Sequence, residues 1–249
     1  MSYQVLSRKW RPQRFDEVVG QLHVTRTLQN AIGMNRVAHG YLFSGPRGVG
    51  KTTTARILAK VLSCENPLDN NPCNKCTNCK DITQGSSLDI QELDGASNRG
   101  IDEIRGLREA VKYPPNSGKY RIYIIDEVHM LTREAFNALL KTLEEPPPHI
   151  VFIMATTDSY KVPATILSRT QKFDFKPISV NNSVICLKQI LDNEKITYVE
   201  EGISLIAQKA DGSLRDALSL LDQVIAYADS TLDVEKIRDV LGIIEERVF

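Results

Sequence analysis

"YLFSGPRGVGKTTTARILAKVL" spans residues 41–62, and its reading decides the fold. It opens on an apolar run, breaks into a glycine-rich loop and closes on a helical pattern. The loop at 45–52 matches G-x-x-x-x-G-K-[ST], and a strand before it and a helix after it are the context that this pattern requires. Gly45, Gly48 and Gly50, with Pro46, Arg47 and Val49 among them, let backbone N–H groups turn inward around phosphates. The helix start near Lys51 adds positive potential. Lys51 is placed to reach the β- and γ-phosphates of ATP. The Thr52 hydroxyl, with Thr53 next to it, is placed to ligate Mg²⁺. An ordinary glycine-rich turn is the plainer alternative, and the complete motif in its context argues against it.

Outward from this stretch, short apolar runs rich in β-branched residues alternate with helical patterns. "LDIQEL" (88–93), "YRIYIID" (120–126) and "IVFIMATT" (150–157) join "YLFSG" (41–45) as expected strands, and "QKFDF" (171–175) is a weaker fifth. Helical stretches such as 51–62 and 133–145 lie between them. Near-continuous apolar strands separated by helices predict an α/β fold with a parallel sheet covered on both faces. After "KPIS" (176–179) the strand signal stops. Helices are expected over 181–194, 200–210, 213–228 and 233–242. The division is therefore an α/β domain over 1–178 and a small helical domain over 179–242. Residues 243–249 read as the start of a linker, and the abrupt stop at "EERVF" as the end of a fragment.

"RIYIIDEVH" (121–129) is an apolar strand ending in two acids. Asp126 is placed to hold the Mg²⁺ water shell, and Glu127 to polarise an attacking water. Strand-end carboxylates are common caps, so this reading depends on the phosphate loop. His129 reads as a loop or packing residue. Thr157 emerges from a neighbouring apolar strand, where a turn-forming threonine is the plain alternative.

The 249 residues carry 31 basic and 31 acidic side chains, so nucleic acid would have to meet a local basic patch. No apolar run approaches the ~20 residues of a membrane span, and the start carries no apolar signal core. A reducing, cytoplasmic setting is expected. There, the cysteines of "CENPLDNNPCNKCTNC" (64–79) are metal ligands before they are disulfides. Cys64, Cys73, Cys76 and Cys79 follow C-x8-C-x2-C-x2-C, which suits tetrahedral Zn²⁺ in a closed, structural site. An iron–sulfur cluster is the competitor, although the C-x3-C-P continuation of the ferredoxin pattern is absent. The module reads as a staple for an insertion expected to protrude from the core. Cys186 reads as a small core residue.

"RGIDEIRGLREAVK" (99–112) predicts a helix with Arg105, Arg108 and Lys112 on one stripe and Ile104, Leu107 and Val111 on a neighbouring one. A solvated, salt-bridged face is the plain reading.

"RPQRFDEVVGQ" (11–21), "GPRGVGKT", "IIDEVHML" (124–131), "LLKTLEEPP" (139–147), "ATTD" (155–158), "ILSRT" (166–170) and "GSLRDALSLLDQ" (212–223) occur in this order. Together they resemble the AAA+ clamp-loader family over essentially the whole chain. The four-cysteine insert narrows the resemblance to the tau/gamma branch of bacterial DNA polymerase III. The resemblance implies an AAA+ P-loop NTPase domain with a zinc insert and a helical lid. It implies that Val18 and Val19 belong to an adenine pocket, and that Thr157 and Arg215 are two sensors of the phosphates. It further implies that Arg169 is an arginine finger acting on ATP held by a neighbouring subunit. The family reads Ser-Arg-Cys there, whereas this chain has Thr170. The implied partners are other tau/gamma copies, delta, delta-prime, the sliding clamp and primer-template DNA, with Arg105, Arg108 and Lys112 as candidate phosphate contacts. The implied activity is hydrolysis of Mg·ATP to open the clamp and load it on primed DNA. "DEVH" also fits a DExH-type helicase, which would need a second sheet domain, and a scaffold that binds ATP without cleaving it is the non-enzyme alternative.

Overall fold

The computed structural model describes residues 3–228 and 231–243; the rest of the expected linker, 244–249, lies outside them. Strands β1 (Gly40–Ser44), β2 (Ile90–Asp94), β3 (Arg121–Asp126), β4 (Ile150–Thr156) and β5 (Gln171–Asp174) form one sheet. They pair in parallel, in the order β2-β3-β4-β1-β5. Successive side chains on a strand point to opposite faces, so a strand buried on both sides must be apolar throughout. On one face Phe43, Ile122, Ile124, Val151, Ile153 and Ala155 pack with α2 (Leu22–Gly33) and α3 (Lys51–Ser63). On the other, Leu42, Tyr123, Ile125, Phe152 and Met154 pack with α5 (Ile101–Ala110), α6 (Arg133–Glu144) and α7 (Ala164–Leu167). All five expected strands are present to within two residues. The carboxyl ends of β1, β3 and β4 bring residues 45–52, 126–127 and 156–157 to one edge.

Beyond residue 179 lie α8 (Val180–Glu194), α9 (Glu200–Lys209), α10 (Leu214–Tyr227) and α11 (Val234–Leu241). Ser179, Ser213 and Asp233 cap α8, α10 and α11 by accepting from the backbone N–H three residues on. Leu187, Leu191, Ile203, Leu221, Val224 and Ile237 form a third core. The expectation of helices alone needs one correction. β6 (Thr197–Tyr198) pairs in parallel with β7 (Thr231–Leu232). Two residues per strand leave no alternation to read in a sequence.

Residues ahead of α2 do not belong wholly to the sheet domain. Leu6 of α1 (Leu6–Lys9) is buried in the third core, with Trp10 packed beside it. Tyr3 Oη and the Leu6 N–H donate to Asp222, and Lys9 Nζ and Trp10 Nε1 donate to Glu194. Phe15, in a short 3₁₀ turn, is instead buried in the first core. This strap therefore spans both halves of the chain. Among the described residues, no helix is long and apolar enough to cross a membrane.

Candidate nucleotide-binding cleft and metal centre

A cleft of about 820 Å³, counted to its open mouth, lies between the phosphate loop, the strap and α10. Val18, Val19, Arg47 to Thr53, Asp126, Glu127 and Arg215 line it. Lys51 is buried, and its Nζ donates to the Gly45 and Pro46 carbonyls at 2.8 and 2.7 Å. Burial pushes the Lys51 ammonium below its ordinary pKa, while Glu127 and Asp126 pull it back up. Thr52 Oγ1 donates to Asp126 Oδ2 at 2.6 Å, so the two residues expected to share Mg²⁺ already meet.

Glu127 stands at φ 45°, a conformation that turns its side chain off the β3 line. Its Oε2 accepts from Thr157 Oγ1 at 3.0 Å and from the Thr157 N–H at 3.3 Å. His129 was read only as loop or packing. Its side chain is 9% exposed, with Nδ1 3.4 Å from Glu127 Oε2 and 3.0 Å from Thr156 Oγ1. That contact depends on the short 3₁₀ turn after Glu127, which spacing does not reveal.

The helical half closes the cleft from the other side. The Arg215 N–H donates to the Gly48 carbonyl at 3.4 Å. Gly48 has φ +76°, and a Cβ there would collide with the Ser213 hydroxyl. Arg215 lies near enough to Lys51 to oppose its charge. Several cations facing one cleft make a site for a polyanion. Arg169 is not in this group. Its guanidinium pairs with Glu144 at 2.9 Å and donates to the Thr165 carbonyl. Thr170 donates its hydroxyl to the Ile166 carbonyl at 3.1 Å, so the threonine sits in the short helical turn without an orphaned polar group.

Ser7, Trp10, Arg11, Pro12, Ile178, Leu214 and Leu218 also line the cleft, and sequence reasoning missed them as site residues. Trp10 and Arg11 precede or open the motif "RPQRFDEVVGQ", which was the available signal.

Cys64, Cys73, Cys76 and Cys79 bring their sulfurs within 4.8 Å of one another. Four thiolates around one Zn²⁺ at ~2.3 Å would stand about 3.8 Å apart, so the group fits a single tetrahedral ion. A multi-iron cluster would hold its ligands farther apart. N–H groups of Lys75 and Cys76 point at the Cys73 sulfur and, foremost among its influences, pull its pKa down to about 6. Burial pushes Cys64 and Cys79 up. The expected protrusion is not seen. Asn78 donates to the Ser63 carbonyl at the end of α3, and Asn71 accepts from the Phe15 N–H, so the insert is docked on the core. Short polar side chains make these bonds, and their direction is invisible in a sequence. α4 (Thr77–Gln84) completes the insert. Cys186 is half-buried against the third core, as expected.

The basic stripe is shorter than expected, because α5 ends at Ala110 and Lys112 lies past it. Arg105 pairs with Asp102 and Lys112 with Glu109 on the surface. Ile104, Leu107 and Val111 are buried against the sheet.

A parallel sheet in this order, a phosphate loop on β1 and a helical lid seated on that loop define an AAA+ P-loop nucleotide-binding fold. RuvB from Thermotoga maritima, a Holliday junction branch migration motor, shares the fold at TM-score 0.70 and 19% identity, over 94% of this chain and 72% of that one. A family model described as DNA polymerase III, delta subunit, matches residues 20–179. A second, described as DNA polymerase III clamp loader subunit, ATPase lid domain, matches residues 184–230. The chain is 53% identical over 246 residues to DNA polymerase III subunit tau of Bacillus subtilis, covering 99% of this chain and 44% of that protein. It is 50% identical to subunit tau of Escherichia coli, covering 99% and 38%. It is 44% identical over 247 residues to subunit gamma of Buchnera aphidicola subsp. Acyrthosiphon pisum, covering 99% and 68%. The chain thus spans less than half the length of these tau relatives. It belongs to the tau/gamma family of DNA polymerase III clamp-loader subunits.

Proposed function

We propose that this chain is the ATP-driven motor part of a clamp loader, hydrolysing Mg·ATP to open a sliding clamp and load it on primed DNA. One observation carries the reading. Lys51, the Thr52–Asp126 pair, Glu127 with Thr157, and Arg215 converge on one cleft in a chain of this family. The backbone N–H groups of residues 47–50 and the Lys51 ammonium bind the phosphates, and Val18 and Val19 give the adenine an apolar wall. Thr52 and Asp126 would hold Mg²⁺, which when bound neutralises phosphate charge. Glu127 takes the proton of the attacking water, and Thr157 reads the γ-phosphate while it positions that carboxylate. Arg215 couples the lid over 179–242 to the phosphates held by the domain over 1–178. Arg169 serves the ATP of a neighbouring subunit. Copies of the chain, delta and delta-prime complete the assembly, in a reducing cytoplasm that leaves the four thiols free to hold zinc.

The helicase reading lacks support, since the described residues beyond 179 form helices and a two-residue ladder. Phosphate release by the assembled complex separates motor from scaffold. Glu127→Gln should keep ATP binding and lose turnover, and Lys51→Ala should lose both. Turnover that survives Glu127→Gln would refute the assignment of the base. A wild-type complex that releases no phosphate would favour the scaffold.

A further inference from the structure

The cysteine insert sits where it can act on the cleft. Its first half is a tight hairpin in which the backbones of Leu68 and Asn71 bond each other in both directions across Asp69 and Asn70. Both turn residues have positive φ, 49° and 56°, as a two-residue hairpin turn demands. Cys64 and Cys73 bracket this hairpin, so an ion that joins their sulfurs closes the loop that carries it. The hairpin aims one side chain inward. Asn71 is 3% exposed, and its Oδ1 accepts the buried N–H of Phe15 at 2.8 Å. Beside it, Lys60 of α3 is 3% exposed and donates to Gln13 Oε1 at 2.7 Å. Lys60 also lies within electrostatic reach of Cys79, Cys64 and Cys73. Four thiolates on one divalent ion carry net negative charge, and the Lys60 ammonium offsets it where water is excluded.

Gln13 and Phe15 belong to the strap. Immediately before them, Trp10, Arg11 and Pro12 line the cleft, and after them come Val18 and Val19. Farther back the strap is tied to the lid through Asp222 and Glu194. The strap is therefore anchored to the lid through residues 3–10 and to the insert side through Gln13 and Phe15, and its cleft-lining residues flank this second anchor on both sides.

We propose that the metal-bound insert holds the strap against the cleft through Asn71 and Lys60, so that metal occupancy sets nucleotide affinity. Without the ion the Cys64–Cys73 loop regains its freedom, Asn71 leaves Phe15, and the buried N–H loses its acceptor. The affinity part of this inference rests on ATP binding in the cleft; the strap part does not.

The test uses the purified chain with its metal, and again after chelation, with metal content and folding checked in each sample. Amide exchange of residues 11–19 is measured first without nucleotide. ATP affinity is then measured by titration calorimetry. Chelation should speed exchange around Phe15 and weaken ATP binding about tenfold, the scale of one lost buried hydrogen bond. Asn71→Ala, still carrying one metal per chain, should reproduce both effects, and chelating that variant should add little. Should chelation unfold the chain, metal-loaded Asn71→Ala decides alone. Unchanged exchange over 11–19 in that variant would overturn the strap anchor. Faster exchange with unchanged ATP affinity would overturn the coupling, provided that Lys51→Ala abolishes binding in the same assay. If Lys51→Ala binds ATP normally, the cleft reading fails and the exchange result still judges the anchor.

Discussion

Arg169 is held by Glu144: Nη2 and Oε1 stand 2.9 Å apart, and the same guanidinium donates to the Thr165 carbonyl. Among the described residues, the cations that line the chain's own cleft are Lys51, Arg47, Arg11 and Arg215, and Arg169 is not among them. This placement is the ground for proposing that Arg169 serves the nucleotide of a neighbouring subunit. Arg169→Ala should leave ATP affinity of the isolated chain unchanged by calorimetry. In the assembled complex it should lower DNA-stimulated hydrolysis by about 10³ to 10⁵, the usual worth of an arginine finger. An isolated chain that turns over at the assembled rate, and loses that rate on Arg169→Ala, would place the finger in cis.

Gly48 is where the lid meets the phosphate loop. Its left-handed backbone costs an alanine about 1–2 kcal/mol, and collision with Ser213 adds a packing penalty of about 1–3 kcal/mol. Gly48→Ala should therefore lose about 2–5 kcal/mol in urea unfolding, or shed the lid and lose ATP affinity. Unfolding midpoint and affinity both at wild-type values would show that the lid does not seat on this residue.

Asp89 is 4% exposed and accepts the N–H groups of Asn116, Ser117 and Gly118. Burial alone would raise its pKa, but these bonds outweigh burial and hold it below the ordinary value. A depressed carboxylate stabilises the fold above its unfolded pKa of about 3.9, and that contribution fades as pH falls through the folded value. Asp89→Asn should cost about 1–3 kcal/mol at pH near 7. The gap to wild type should narrow below about pH 4. A gap that widens on acidification would contradict the assignment.

Elemental analysis should return one zinc per chain from a colourless protein. Stoichiometric iron with visible absorbance would identify the site differently. The closeness of all four sulfurs, within 4.8 Å, motivates the expectation.

Arg105 pairs with the exposed Asp102, a contact that a phosphate can displace at little cost. Arg105→Ala and Arg108→Ala should weaken primed-template binding by the assembled complex without sequence preference. Each should lower the slope of log affinity against log salt by about one. Unchanged slopes would leave α5 as a solvated face.

The sheet, its strands and the phosphate loop were legible because each depends on local pattern. Strands buried on both faces must be apolar at every position, and a backbone that wraps phosphates needs glycine at set intervals. The four cysteines were legible for the same reason, since metal chemistry restricts both residue type and spacing. The pairing of Thr52 with Asp126 was reachable from motif chemistry, whereas the place of His129 beside Glu127 was not. It is set by one left-handed residue and a 3₁₀ turn, and no side-chain periodicity marks either. The strap was quoted as a motif and missed as a structural element, because its partners Asp222, Glu194 and Asn71 lie far along the chain. The sequence by itself marked the residues expected to meet phosphate and metal. Only the tertiary structure decided that the strap and the lid wall the cleft and that the insert is bonded to the strap. Those contacts are hydrogen bonds between distant segments, and their direction exists only once the backbone between them has folded.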